Sequence, residues 1–204
     1  MQDFQLRDGV PDSLTWKWTK DGKHSVSSAY NVQFEGRVRF NFHLTVWDSD
    51  APLKCQFYAW LVVLNHCLTA DNLQKRGWPN DPICSLCHLH PETAVHLLIN
   101  CTYARQVWRL IFARIDVTPP VGWMSYPSLA DWWNMMAQHS TADNRRRWNS
   151  VVALVWWELW KERNDRIFND KHVSAFTTYE KIIATAVDWC SAGRRLVSPV
   201  ANRP

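Results

Sequence analysis

The sequence has no apolar run that is long enough to span a membrane. Its longest one, VVALVWWELW at residues 151–160, is followed directly by a charged segment, whereas a membrane-spanning helix needs about 20 apolar residues. The N-terminal residues MQDFQLRDGVPDS lack the basic and apolar regions of a secretory leader, and there is no internal repeat or low-complexity tract. We therefore expect an intracellular protein, in the nucleus or cytoplasm, that makes no membrane contact.

A chain of 204 residues that is 47% hydrophobic can bury a substantial core. It has 14 tryptophans, and each aromatic side chain removes about 150–250 Å² from water when it is buried. We expect most of them in the core. The pairs Trp132–Trp133 and Trp156–Trp157 would suit a protein-interaction domain, because adjacent helical positions point about 100° apart and both are rarely buried in one small core. The net charge of +4 suits a polyanionic partner but is too common to identify one.

The spacing of polar and apolar residues predicts a mainly α-helical fold with a small N-terminal β-hairpin. The hairpin is predicted around Asp21-Gly22, a dipeptide that tolerates the positive φ of a tight turn, and Ser27 or Ser28 is expected to cap the next helix. Buried helical faces are predicted where apolar residues recur three or four positions apart. They are Leu53, Phe57, Trp60, Leu61, Leu64 and Leu68 in one helix, Trp148, Val152, Val155 and Leu159 in a second, and Phe176, Tyr179, Ile183 and Ala186 in a third.

The proline pair Pro119–Pro120 favours a division of the chain into two regions. Residues 1–118 are predicted to contain the hairpin and a knuckle that is held by zinc. Residues 119–204 are predicted to form a helical region with a loose tail from about residue 194, where the apolar periodicity stops.

Six cysteines and histidines lie close together in the segment ICSLCHLHPETAVHLLINC. A C-x-x-C turn lets two thiolates reach one zinc ion, so Cys84 and Cys87 are the expected first pair. Cys101 is the only other thiol nearby, and His96 precedes it by a spacing that is usual for zinc sites. Because positions five apart diverge by about 140° on a regular helix, the helix must be interrupted near Asn100. The predicted Zn²⁺ ligands are Cys84, Cys87, His96 and Cys101.

Two other interpretations of this segment stay open. One is a ligand set that uses His90, and the other is a group of buried thiols without a metal. The order His90-Pro91-Glu92 also matches the H-x-E of zinc deaminases, but in those enzymes the motif precedes the C-x-x-C. A site with four protein ligands has no position for an activated water, so we expect no catalysis at the metal.

An ordered set of short motifs runs through the first half of the chain. Its members are Trp16, Asp21-Gly22, Ser25-Val26, Ser28-Ala29-Tyr30, Trp47, Pro52-Leu53-Lys54, Phe57, Trp60, Leu68-Thr69, Leu73, Gly77, Cys84, Cys87, Glu92, His96-Leu97, Cys101 and Val107-Trp108. This order, over residues 14–115, resembles the reverse-transcriptase zinc-binding domain of plant LINE-type (non-LTR) retrotransposons. The later stretch WELWKERNDRIF is similar to a W-x-x-W-x-x-R-N-x-x-x-F stretch that often follows that domain.

The resemblance implies a zinc site on the same four residues and a C-terminal fragment of a retroelement that lacks its polymerase. Nothing in the chain resembles the paired aspartates, Y-x-D-D, of the polymerase, so nucleotide addition has no metal ligands. We therefore expect a non-catalytic module and not an enzyme.

Association with RNA or single-stranded DNA is the interpretation that we favour, because small zinc knuckles hold single strands with basic and stacking side chains. The candidate contacts are Lys75, Arg76 and Trp78 before the cysteine cluster and Arg105 and Arg109 after it. The alternative is a structural or protein-interaction domain, whose Trp-rich helices dock on a partner such as a reverse transcriptase.

Overall fold

The computed structural model describes residues 15–32, 42–138 and 142–194, together with residues 197 and 200. The chain divides into two compact units, residues 1–40 and 41–204. The helices are α1 (Val26–Val32), α2 (Phe42–Trp47), α3 (Leu53–Val63), α4 (Ala70–Lys75), a π-helix (His96–Asn100), α5 (Thr102–Ile115), α6 (Leu129–Gln138), α7 (Ala142–Asn169) and α8 (Ala175–Ser191). The predicted mainly helical fold is confirmed. None of the helices within the described residues is long and apolar enough to cross a membrane.

The predicted β-hairpin of the first unit is wrong, because the described residues 15–32 contain no strand. Asp21-Gly22 does form a turn, in which Gly22 has a φ of +66° and the Trp16 N–H donates to the Gly22 carbonyl at 2.8 Å. No strand is found on either side of this turn within residues 15–32. A two-stranded ribbon with no further strand to pair with is only marginally stable in water, so a turn signal alone does not make a hairpin.

The cap of α1 is Ser25 and not Ser27 or Ser28. The Ser25 Oγ accepts a hydrogen bond from the Ser28 N–H at 3.1 Å, and the Ser28 Oγ accepts one from the Ser25 N–H at 3.0 Å. This reciprocal pair is the hydroxyl counterpart of a capping box. The helix therefore begins one residue after Ser25, earlier than we predicted.

The long helix α7 is central to the second unit. Helices α2, α3, α6 and α8 and the π-helix pack against it, and α5 packs against α8. The middle of α7 is buried on nearly every side, which includes the predicted face and also residues such as Val151, Leu154 and Trp156. Its predicted residues, all buried, are Trp148, Val152, Val155 and Leu159.

Helix α3 forms as predicted but turns its opposite face inward. The predicted core residues Leu53 and Phe57 are 74% and 52% exposed, and Trp60 and Leu61 are half-buried. The residues that are buried are Cys55, Gln56, Tyr58, Ala59 and Val62. The segment LKCQFYAWLVV is apolar on every side, so periodicity could not select a face, and packing against α2 and α7 does.

The inward face of α8 also differs from the prediction. Phe176 is 56% exposed, and Tyr179 and Ile183 are half-buried. The buried residues are Ala175, Thr178, Ile182, Ala186 and Trp189. Thr178 lies inside because its hydroxyl is hydrogen-bonded to the Tyr103 hydroxyl at 2.7 Å, a contact that a count of apolar residues does not register.

The adjacent tryptophan pairs lie in the core and do not face outward. Trp132, Trp133 and Trp156 are each 0% exposed, and Trp157 is half-buried. These pairs therefore do not form the outward surface that a protein-interaction domain would need from them.

Helix α6 can bury two adjacent indoles because it is covered on two neighbouring sides. The Trp132 ring contacts the Trp108 ring of α5, with 5.0 Å between their centroids. The Trp133 Nε1–H donates to the Asn149 Oδ1 of α7 at 2.8 Å. Both rings also contact Trp156 of α7, so the two tryptophans belong to one aromatic core.

The predicted boundary between residues 118 and 119 falls inside the second unit. Helix α5 precedes this boundary and α8 follows it, yet the two pack together, and buried residues from both sides belong to one hydrophobic cluster. The division into two folding regions stays a prediction, which hydrogen exchange can decide. Of the predicted loose tail beyond residue 194, only Val197 and Val200 are described, and both are buried.

Trp133→Ala should lower the free energy of unfolding by about 3–5 kcal/mol, because it leaves a large cavity in the core. Trp78→Ala, at a side chain that is 59% exposed, should change it by no more than about 0.5 kcal/mol. Urea unfolding followed by circular dichroism measures both. An equally small effect for Trp133→Ala would mean that its ring is not part of the core.

Candidate metal centre

A short turn places Cys84 and Cys87 side by side at the start of the knuckle, residues 83–101. The Cys84 N–H donates to the His90 carbonyl at 2.9 Å, which closes the base of the turn. The His88 N–H donates to the Cys84 carbonyl at 2.8 Å, and His88 itself has a φ of +55°. This left-handed conformation reverses the chain directly after Cys87, so both thiols point to the same side.

A π-helical turn brings His96 beside Cys101. Across His96–Asn100 the backbone hydrogen bond spans five residues, from the Cys101 N–H to the His96 carbonyl at 2.6 Å. Cys101 then leaves the helical conformation (φ −57°, ψ 134°) and is the N-cap of α5. The Trp108 Nε1–H donates to the Leu98 carbonyl at 2.8 Å and holds the turn against α5. The predicted helix interruption is confirmed, although a widened turn precedes it.

The four predicted ligand atoms come together. The Sγ atoms of Cys84, Cys87 and Cys101 and a ring nitrogen of His96 all lie within 4.8 Å of one another. Cys84 Sγ is 3.9 Å from Cys101 Sγ, and Cys87 Sγ is 3.3 Å from His96 Nε2. A tetrahedral zinc ion with bonds of about 2.0–2.3 Å requires ligand atoms roughly 3.5–3.8 Å apart. The arrangement therefore fits a Cys₃His zinc site in which the protein fills all four positions.

His88 and His90 lie outside this cluster. Both side chains are exposed, and the His90 ring packs edge-on against the His96 ring with 5.6 Å between centroids. The structure thus brings together the set that contains His96 and not the alternative set that uses His90.

The Cys84 thiol is hydrogen-bonded to the Cys101 sulfur within the cluster. This hydrogen bond, together with burial, raises the pKa of Cys84 to about 12, and on the acceptor side it lowers the pKa of Cys101. The N–H groups of Ala104 and Tyr103, at the start of α5, also act to lower the pKa of Cys101. A divalent cation that binds there must displace the proton of the Cys84 thiol, because the thiolate is the metal ligand.

Glu92, in the middle of the knuckle, is buried and ion-paired. Its Oε1 accepts from the Ala70 N–H at 3.0 Å and from the Arg163 Nη2 at 2.7 Å. The Arg163 Nε lies 3.1 and 3.3 Å from the two carboxylate oxygens, and the two side chains are 4% and 1% exposed. The carboxylate that the H-x-E match would assign to proton transfer is therefore bound by a guanidinium.

The pairing of Glu92 with Arg163 was not predicted from the sequence. Both residues belong to the motifs quoted above, but 71 positions separate them, and no local spacing connects them. The available signal was weaker: Arg163 closely follows the apolar run VVALVWWELW, and an arginine is rarely buried without a partner.

The five predicted nucleic-acid contacts fall into two groups. Lys75, Arg76 and Trp78 are exposed at the end of α4, where Lys75 also forms an ion pair with an aspartate one turn earlier. Arg109 is exposed on α5, and Arg105 on the same helix is half-buried. The structure thus places three candidates in one exposed stretch and the other two on a separate helix.

A groove of about 420 Å³ lies beside the knuckle. The segment after α4, the knuckle and the C-terminal half of α7 form its walls. Five large apolar side chains along it are exposed: Leu68 at 38%, Trp78 at 59%, Ile83 at 38%, Ile167 at 46% and Phe168 at 73%. Of the five predicted contacts, only Trp78 lines this groove.

A family comparison matches the part of the chain that contains the cluster. Residues 24–108 match the family model described as zinc-binding in reverse transcriptase, and the four clustered residues all lie in this range. The match covers less than half of the chain, so it describes this part and not the whole.

A putative ribonuclease H protein of Arabidopsis thaliana is 26% identical over 175 residues, which is 82% of this chain and 27% of that relative. The chain therefore spans about a quarter of the relative's length, and the similarity extends past residue 108. No solved structure matches the chain. The comparisons thus support a zinc-binding domain of the reverse-transcriptase type at residues 24–108, while its LINE-type and plant origin stay proposals.

Proposed function

We propose that this chain is a non-catalytic zinc-binding module derived from a plant LINE-type retrotransposon reverse transcriptase. Zn²⁺ is held by Cys84, Cys87, His96 and Cys101. The observation that carries the proposal is the meeting of four ligand atoms within 4.8 Å. The family match over residues 24–108 supports it independently of the geometry.

The metal has a structural role in this proposal. When bound, zinc supplies four strong bonds to protein atoms and has no open position for an activated water. The chain around it supports that role, because Glu92 is engaged by Arg163 and the Ala70 N–H. The exposed histidines His88 and His90 remain outside the ligand set.

RNA or single-stranded DNA is the partner that we propose. Lys75 and Arg76 can contact phosphates, and the exposed indole of Trp78 can stack on a base. Arg109 and Arg105 on α5 are secondary contacts. The exposure of the first three residues in one stretch supports this proposal, as does the match of residues 24–108 to a zinc-binding domain of reverse transcriptase.

The alternative is a protein-interaction domain that docks on a polymerase. It requires Trp132–Trp133 and Trp156–Trp157 to face outward, but three of these four side chains are fully buried. We therefore favour the nucleic-acid partner.

Cys87→Ala and His96→Ala should each abolish stoichiometric zinc binding, because three ligands cannot complete the tetrahedral site. Cys67→Ala and His90→Ala should leave it unchanged. Cys67 is a suitable control because burial raises the pKa of its thiol to about 11 and it lies outside the cluster. Elemental analysis of the purified, dialysed proteins gives the zinc content. Zinc loss in His90→Ala but not in His96→Ala would favour the alternative ligand set, and wild-type protein without zinc would refute the metal site.

Chelation of zinc should remove hydrogen-exchange protection most strongly at residues 83–101. Zinc contributes on the order of 10–16 kcal/mol of apparent folding free energy in isolated fingers, and the exposed turn at His88 to Pro91 has little packing to replace it. The aromatic contacts between α6 and α7 should keep their protection, because they do not involve the knuckle. Equal loss of protection along the whole second unit would instead show one cooperative fold, and would remove the predicted boundary at residues 118 and 119.

Binding to single-stranded RNA should weaken steeply with salt, because it releases counterions from the strand. Arg76→Gln should reduce the slope of log K against log salt concentration by about 0.7, the value for one lost phosphate contact. Trp78→Ala should lower the binding free energy by about 1–3 kcal/mol, the cost of one lost base stack. Arg147→Gln, at an exposed position on α7, is the charge-matched control. Fluorescence anisotropy at several salt concentrations measures these constants, and binding that is absent or independent of salt would contradict the proposed partner.

A further inference from the structure

Arg166 connects the C-x-x-C turn to the C-terminal helices. Its Nη1 donates to the carbonyls of Ser85 and Leu86, both at 3.0 Å, and these are the two residues between the paired cysteines. Its Nη2 donates to the Val173 carbonyl at 2.9 Å, just before α8. A single side chain of α7 therefore holds the backbone that carries two of the four candidate metal ligands.

The guanidinium of Arg166 is itself held in a fixed orientation. Its Nε donates to the Glu162 Oε1 at 2.8 Å, and the two side chains are 8% and 2% exposed. The ring of Tyr103 lies against it, 4.7 Å from ring centroid to guanidinium carbon. Such a planar, forked donor can satisfy three carbonyls and a carboxylate at once, which a lysine ammonium cannot do with the same geometry.

Helix α7 holds the knuckle at a second point through Arg163 and Glu92. Arg163 and Arg166 are three positions apart, so they lie on the same side of α7. Arg166 binds the two residues before Cys87, and Arg163 binds Glu92, which lies between Cys87 and His96. The turn is thus fixed from outside the ligand set, on both sides of its second cysteine.

We propose that Arg166 is a positioning residue for the metal centre, which fixes the turn between Cys84 and Cys87 in the conformation where both thiolates reach one ion. This inference rests on the proposed zinc site. Groups that orient metal ligands in this way typically change metal affinity by about 10–100-fold when they are altered. The unit that determines zinc affinity then extends beyond the matched residues 24–108 into α7.

Arg166→Lys tests the proposal, because it keeps the positive charge and loses the fork. It should raise the zinc dissociation constant by about 10–100-fold, as measured by competition with a chromophoric chelator. Arg147→Lys makes the same substitution at an exposed position of the same helix and should leave the constant unchanged.

A second control separates positioning from a general loss of stability. Tyr103→Phe keeps the ring beside Arg166 and removes a hydroxyl that lies 3.0, 2.9 and 2.7 Å from the Val173 carbonyl, the Ser174 carbonyl and the Thr178 hydroxyl. It should lower the unfolding temperature of the zinc-free protein without changing the zinc dissociation constant. Cobalt-substituted protein gives a spectroscopic check, because the thiolate charge-transfer and d–d bands should change in Arg166→Lys and not in Tyr103→Phe.

The outcomes distinguish this inference from the proposed function. Wild-type protein that binds no zinc overturns both. If the wild type binds stoichiometric zinc but Arg166→Lys has an unchanged dissociation constant, only the role of Arg166 is overturned. The same holds if Tyr103→Phe loses as much zinc affinity as Arg166→Lys. If Arg166→Lys does not fold, Glu162→Gln replaces it as the test, because it weakens the contact that orients the Arg166 Nε. It should raise the zinc dissociation constant by a smaller factor. An unchanged constant in Glu162→Gln overturns the inference.

Discussion

The structure depends on a geometrical constraint at the end of the knuckle, where the side chains of His96 and Cys101 meet in the candidate metal cluster although they are five positions apart. A regular α-helix would direct them about 140° apart. The chain meets the constraint with a π-helical turn that closes through the Cys101 N–H and the His96 carbonyl at 2.6 Å, followed by an extended conformation at Cys101. Cys101 is also the N-cap of α5. The geometry of the candidate metal site therefore also sets the direction of the helix that supports the aromatic core.

Buried charge gives the knuckle its connection to the rest of the second unit. Removing a carboxylate and a guanidinium from water costs several kcal/mol each, and this is offset only when they are well paired. Glu92–Arg163 and Glu162–Arg166 are both almost completely buried. Of these two pairs, Glu92–Arg163 joins the knuckle to α7, whereas Glu162–Arg166 lies within α7 and orients the guanidinium that donates to the Ser85 and Leu86 carbonyls. Because Glu92 and Arg163 cannot separate without leaving an unpaired charge in the interior, α7 and the knuckle must keep one relative arrangement. A metal site of four local ligands is in this way fixed by a helix that begins about 40 residues after the last of them, at Ala142.

Local spacing was sufficient to predict the ligand cluster, because all four residues lie within 18 positions and zinc chemistry restricts their arrangement. It also placed Trp148, Val152, Val155 and Leu159 of α7 in the core, although the middle of α7 is buried on nearly every side. It failed for α3, where apolar residues occupy every side, and for the tryptophan pair of α6, where two covering elements bury both indoles. The hairpin failed because a turn signal was not accompanied by a third strand. Contacts between residues 71 or 81 positions apart, such as Glu92–Arg163 and Ser85–Arg166, leave no periodic trace in a sequence.

The position of the groove links the two parts of the proposed function. Ile83, Ser85 and His88 of the knuckle form one wall, and Phe168 of α7 lies on another, with Trp78 also along the groove. If zinc fixes the knuckle, then it also fixes that wall, so a base stacked on Trp78 within the groove favours the zinc-bound conformation. By linkage, zinc must then favour binding of the strand by the same factor. A nucleic-acid partner that contacts only the exposed cations of α4 and α5 would show no such coupling. The reciprocity therefore depends on Trp78, the one candidate contact that the fold places beside both the metal site and α7.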